Sequence, residues 1–111
     1  MKRLLLVLSA GIFLMMVFIT VRASLAQSIW DTLPSYSDNP WAVATLYDAY
    51  SGFTLFWLYA AWRERAWPAR IMWFVLIMAL GNIATSGYLF LQLVRLRPEE
   101  PASAVLQRRP A

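Results

Sequence analysis

The sequence predicts an all-α fold of three transmembrane helices, with the second and third forming an antiparallel hairpin. Three observations carry that expectation. Leu4 to Val21, Ala42 to Trp62 and Ile71 to Val94 are apolar runs, each of the roughly 20 residues that a helix needs to cross a hydrocarbon core of about 30 Å. One formal charge, Asp48, lies inside any of them. Apolar residues make up 60% of the 111-residue chain, more than a soluble fold of this size hides readily. One three-span membrane domain over residues 1–97 therefore fits, with spans at about 4–22, 41–62 and 70–94. The connections are too short for a further domain.

The first span opens after Lys2 and Arg3, and Ser24-Leu25-Ala26 places small residues where a signal peptidase cuts. Cleavage after Ala26 is one outcome. A retained signal anchor is the favoured one, because the apolar stretch of roughly 18 residues exceeds the usual 7–15 and Arg22 stands before the cut site. Ser24 to Thr32 suits a short helical piece, and Leu33 to Pro40 is dense in turn formers. The second span starts at Pro40, with Asn39 or Asp38 as its cap. Trp30 and Trp41 at one boundary, and Trp62, Trp67 and Trp73 at the other, suit interfacial belts. Pro68 breaks the chain between the second and third spans. Pro98, Pro101 and Pro110 argue against helix in the tail, so residues 98–111 are expected to be disordered.

Ten basic residues outnumber six acidic ones, yet most of the arginines flank helix ends and no basic stripe or stacking platform lies outside the apolar runs. This pattern excludes a nucleic-acid partner and points to membrane anchoring. Lys and Arg near the span ends tie at five on each side if the chain crosses three times. The tight Arg63 to Arg70 connection breaks the tie toward a cytoplasmic N-terminus and an external C-terminus, with a bacterial inner (plasma) membrane as the expected location. With no cysteine and no histidine, thiol chemistry and the commonest metal ligand and general base are excluded, and no metal or cofactor is expected.

Asp48 is the residue that invites a role, because a charge two turns inside a span is costly to insert. Thr45, Asp48, Gly52 and Tyr59 share a helical face with Ser51 at its edge, and Gly81, Asn82, Thr85, Tyr88 and Gln92 form a matching surface on the third span. In an antiparallel hairpin Asp48 and Tyr88 lie at similar depth. The expected intramembrane polar cluster is therefore Asp48, Thr45, Ser51, Asn82, Thr85, Tyr88 and Gln92. Interhelical hydrogen bonding is its plainest use, a small polar pocket or proton-accepting site is the sharper one, and a partner-facing role for Asp48 is the third. No catalytic residue is assigned, since the lone carboxylate has neither a second acid nor a histidine beside it.

Pro40-Trp41-Ala42-Val43-Ala44-Thr45-Leu46-Tyr47-Asp48, followed by Gly81, Thr85, Gly87, Tyr88 and Gln92, resembles a family of small uncharacterised integral membrane proteins of bacteria and plants, a domain of unknown function with a P-W-x-x-A-T-L-x-D motif. The resemblance covers the chain up to Arg97. It implies an integral membrane protein and supplies no activity, substrate or catalytic residue. The expected function is a non-catalytic scaffold or accessory subunit, and the alternative is a small-molecule or proton-handling site built around Asp48. Expected partners are membrane lipids and either another membrane protein or further copies of the chain.

Overall fold

The computed structural model describes residues 2–107 as five α-helices and one 3₁₀ turn. Helix α1 covers Lys2–Ala26, free of charge from Leu4 to Val21, with Ser9 turned inward, its hydroxyl donating to the Leu5 and Leu6 carbonyls. A serine that bonds its own preceding turn can be buried without another partner. Helix α2, Ile29–Ser37, starts at Ser28, whose side chain accepts from the Trp30 amide. The expected turn at 33–37 is thus helical, with Pro34 inside it. Ser28 supplies the cap, and Thr32, Ser35 and Ser37 all bond back to preceding carbonyls.

Helix α3, Pro40–Arg63, begins where the sequence placed it: Asn39 Oδ1 accepts from the Trp41 and Ala42 amides, and Pro40 occupies the first turn, where it forfeits no bond. Helix α4, Trp67–Leu80, opens on Pro68 and returns antiparallel along α3. Tyr50 donates to the Met78 carbonyl at 3.1 Å and Trp57 Nε1 to the Arg70 carbonyl at 2.9 Å, fixing the register of that hairpin.

The third expected span is not one helix. It breaks at Gly81 into α4 and α5, Asn82–Arg95. Gly81 has φ +60° and ψ −125°, a conformation that L residues rarely adopt, and the Phe53 ring lies only 2.8 Å from where a Cβ would stand. The chain reverses there. Trp73 and Tyr88 stack edge to face with ring centroids 4.8 Å apart, whereas a straight helix would separate them by roughly 22 Å. Tyr88 also meets Tyr59 at 6.0 Å and Phe56 at 5.9 Å, and Arg63 reaches Gln92, so α5 runs parallel to α3. The hairpin expected of the second and third spans is made by α3 and α4 alone.

Helix α1 packs most extensively on α5 and antiparallel to it. Lys2 Nζ donates to the Arg97 carbonyl and the Phe13 ring touches the space beside Gly87. The start of α1 and the end of α5 therefore lie at one end of the bundle, not at opposite ends as three crossings would require. Helices α1 and α3 have 25 and 24 residues, about 36 Å each, while α4 and α5 have 14 apiece, about 21 Å. The short pair fills only part of the length between the long ones. Beyond Gly81, α1 and α3 continue with little between them, and residues 18–31 are exposed throughout.

Charge segregates along this axis. Lys2, Arg3, Arg63, Arg65, Arg70, Arg95 and Arg97 stand at the end shared by the chain's first residues and the close of α5, here the basic end. Among the described residues Arg22 is the one cation toward the other, open end, together with Asp31, Asp38 and Asp48.

Residues 98–107, expected to be disordered, fold over the basic end. Arg97 and Glu100 close a turn, with Glu100 Oε1 accepting from the Arg97 amide at 2.9 Å. A 3₁₀ turn, Ala102–Leu106, then buries Ala102, Ala104 and Val105. The prolines that stop a helix here do not stop packing. Residues 108–111, the rest of that expected tail, lie outside the described residues.

Candidate functional site

The expected polar cluster is not assembled. Thr45 and Ser51 donate to the carbonyls one turn back, Trp41 and Tyr47, and Thr85 bonds Asn82, so these hydroxyls are satisfied within their own helices. Asp48 is exposed, and its side chain makes no hydrogen bond or ion pair among the described residues. Tyr88 is level with Tyr59, eleven residues farther along α3, or roughly 16 Å from Asp48. The reason is Gly81. With the chain reversed there, α5 runs parallel to α3 and carries Tyr88 and Gln92 toward the basic end.

Tyr88 and Gln92 belong instead to a constellation around Arg63. Burial there is nearly complete, with Tyr88 and Gln92 at 0% exposure, Glu64 at 4% and Arg63 at 5%. Arg63 Nε donates to Gln92 Oε1 at 3.0 Å, and Nη1 donates to the carbonyls of Ala104 and Val105, each at 3.1 Å, and of Gln107. Tyr59 adds its hydroxyl to the Val105 carbonyl at 2.6 Å. Arginine suits this position because its planar fork keeps several donors at fixed angles, where a lysine ammonium offers a single point. Each hydrogen bond from a charged donor contributes about 1.5–3 kcal/mol. The Glu64 side chain faces the Tyr88 hydroxyl, and Gln92 Nε2 is buried with no partner among the described residues. The Glu64 carbonyl accepts from Arg70 Nε at 3.0 Å, tying the α3–α4 connection into the same end, and the Arg70 guanidinium lies over the Trp67 ring at 4.7 Å.

Chemically this arrangement is a latch. The Arg63 guanidinium holds carbonyls at the close of the 3₁₀ turn, and aromatic rings seal the site: Tyr88 is ringed by Phe56, Tyr59 and Trp73. Among the described residues no three of His, Cys, Asp and Glu come together in a way that would hold a metal ion. In the sequence Arg63 is one of several charges flanking helix ends, and Glu64 stands in no motif. A signal was present: Tyr59 and Arg63, and Tyr88 and Gln92, are each spaced i, i+4, so each pair shares a helical face.

An apolar cavity of about 400 Å³ lies between α1 and α5, lined by Ala10, Phe13, Leu14, Gly87, Phe90 and Leu91. It holds no polar side chain that could orient a ligand.

A family model described as "protein of unknown function (DUF1475)" matches residues 2–109, nearly the whole chain. The chain belongs to that family. No curated protein and no solved structure matches. Within this member of the DUF1475 family, α1 is the one helix among the described residues that is long and apolar enough to cross a membrane, and such a helix near an N-terminus is equally the mark of a signal sequence. Helix α4 is apolar but shorter. Helix α3 has the length, yet Thr45, Asp48, Ser51 and Thr54 dilute its apolar character.

Proposed function

We propose that the chain is a small multi-pass membrane protein that serves as a non-catalytic scaffold or accessory subunit. In this reading α1 and α3 cross the bilayer, and α4 and α5 enter from the basic end and return to it. The observation that carries the reading is the exposed apolar surface of the long helices: Val7, Leu14, Phe18 and Val21 on α1, and Leu55 and Leu58 on α3, are more than half exposed. Water tolerates no such continuous surface on a 111-residue protein, whereas acyl chains or a partner helix cover it. The gathering of cations at one end supports a cytoplasmic basic end, which puts the N-terminus, the Arg63 to Arg70 connection and residues 95–107 on the same side. Asp31, Asp38 and the exposed Trp30 and Trp41 then lie at the opposite interface.

The packing of α1 on α5 supports a retained anchor. Removing residues 1–26 would strip the face of α5 that carries Gly87 and leave the buried Ser86 region open. Intact-mass analysis of the purified membrane protein is expected to find the first residues still attached, and a mature chain beginning at Gln27 would end this part of the reading.

Two experiments test the rest. The chain has no cysteine, so single cysteines can be placed without a background. Cysteines at Ala66 and Ser103 are expected to react with a membrane-impermeant maleimide from the cytoplasmic face, and one at Ser35 from the opposite face. Labelling of Ser103 and Ala66 positions from opposite faces would replace the re-entrant pair with a full third crossing. Proteoliposomes containing the chain are expected to hold a pH gradient as long as empty ones. A leak abolished by Asp48→Asn would favour a proton-handling site instead.

A further inference from the structure

Arg22 and Asp48 are opposite charges on two helices that barely touch. Their side chains make no hydrogen bond or ion pair among the described residues, although both lie in apolar helices. Their depths agree. On α1, Lys2 is opposite Arg97 and Phe13 opposite Gly87, so the α1–α5 register carries Arg22 to a level just beyond the start of α5. On α3, Tyr59 is opposite Tyr88 and Arg63 opposite Gln92, and that register carries Asp48 to the same level. The agreement holds to within about one helical turn, roughly 5 Å.

Their directions, in contrast, rule out a pair within one chain. At about 100° per residue, Arg22 stands roughly 140° around α1 from Ser9, which is buried against α5, and Asp48 stands roughly 100° around α3 from the line of Phe53, Phe56, Ala60 and Arg63 that faces α4 and α5. Both charges therefore leave the bundle. A carboxylate two turns inside a crossing helix is costly to leave facing acyl chains, and a cation at its own depth offsets that cost.

We infer that two copies of this chain pair through the open-end halves of α1 and α3, with Arg22 of each copy binding Asp48 of the other. A two-fold axis along the bundle preserves depth, so any residue meets its partner only at its own level, and this chain carries both members of the pair at one level. One axis then makes two equivalent pairs. The exposed far half of α1 and the polar Thr45–Asp48–Ser51 face of α3 supply the surfaces that meet. The inference rests on the membrane reading above, in which these halves cross the outer part of the bilayer.

The test uses the full-length chain in liposomes, with donor- and acceptor-labelled populations mixed at known protein-to-lipid ratios. Energy transfer is expected for the native sequence. Asp48→Arg or Arg22→Asp alone is expected to weaken association by about tenfold or more, and the double exchange to restore it. In the cysteine-free background, Ala23→Cys in one tagged copy and Ala49→Cys in a differently tagged copy are expected to cross-link between copies. Absence of energy transfer at every density, single reversals without effect, or a cross-link confined to one chain carrying both cysteines would overturn the inference. Carbonate-resistant membrane association is measured on the same samples: an inserted but monomeric chain defeats only the dimer, whereas a chain extracted by carbonate defeats the membrane reading itself.

Discussion

At the basic end of the bundle a buried arginine has four acceptors, Gln92 and three backbone carbonyls, whereas at the open end Arg22 and Asp48 have no side-chain partner among the described residues. The same chemical groups are therefore used in two ways. Where α4 and α5 fill the space between the long helices, Arg63 and Glu64 are turned inward, and Arg63 is satisfied by the chain itself. Beyond Gly81 there is no filling, so charge is turned outward and its satisfaction is left to the surroundings. The contrast teaches that the reversal at Gly81 decides which end of the molecule is self-sufficient.

The most severe way to break that contrast is to remove the reversal. Gly81→Ala combines a backbone conformation disfavoured for L residues with a Cβ 2.8 Å from the Phe53 ring, and a loss on the order of 4 kcal/mol is expected in detergent unfolding followed by circular dichroism. Adding Phe53→Ala relieves only the contact, so a double variant as stable as the native chain would show that the backbone conformation carries no weight. Arg63→Met comes next, with an expected loss of about 3 kcal/mol and rapid proteolysis within residues 98–107, because four acceptors lose their donor together. Arg63→Lys is expected to recover little of it. Tyr59→Phe removes one hydrogen bond to the Val105 carbonyl, for a loss of about 1 kcal/mol and a modest rise in cleavage of the same segment. Smallest of all, Arg22→Gln and Asp48→Asn are expected to change the stability of the dilute monomer by less than about 0.5 kcal/mol. A larger loss would mean that these groups are already satisfied within one chain, erasing the difference between the ends.

Much of the local structure was legible in the sequence. The apolar run of α1, the Asn39–Pro40 start of α3 and the break at Pro68 follow from composition, capping and proline geometry, which act within a few residues. The reversal at Gly81 was not, because a glycine between apolar residues serves equally as a close-packing site in a continuous helix, and only the Phe53 ring arriving from α3 distinguishes the two. Everything downstream of that choice went with it. Asp48 and Tyr88 were expected as neighbours because an unbroken third span would bring them to one depth. The folded segment at 98–107 was hidden for a similar reason: its carbonyls are held by a side chain more than forty residues away, and nothing local announces Arg63 as their donor.

The pairing of α1 with α5 joins the first helix of the chain to the last, and Phe13 finds the space beside Gly87 only after 74 further residues have been made. At translation rates of about 5–20 residues per second that interval is roughly 4–15 s. Throughout it the nascent first helix must wait with Ser9 and Phe13 uncovered by α5, so whatever shelters that face in the meantime has to give way when α5 arrives.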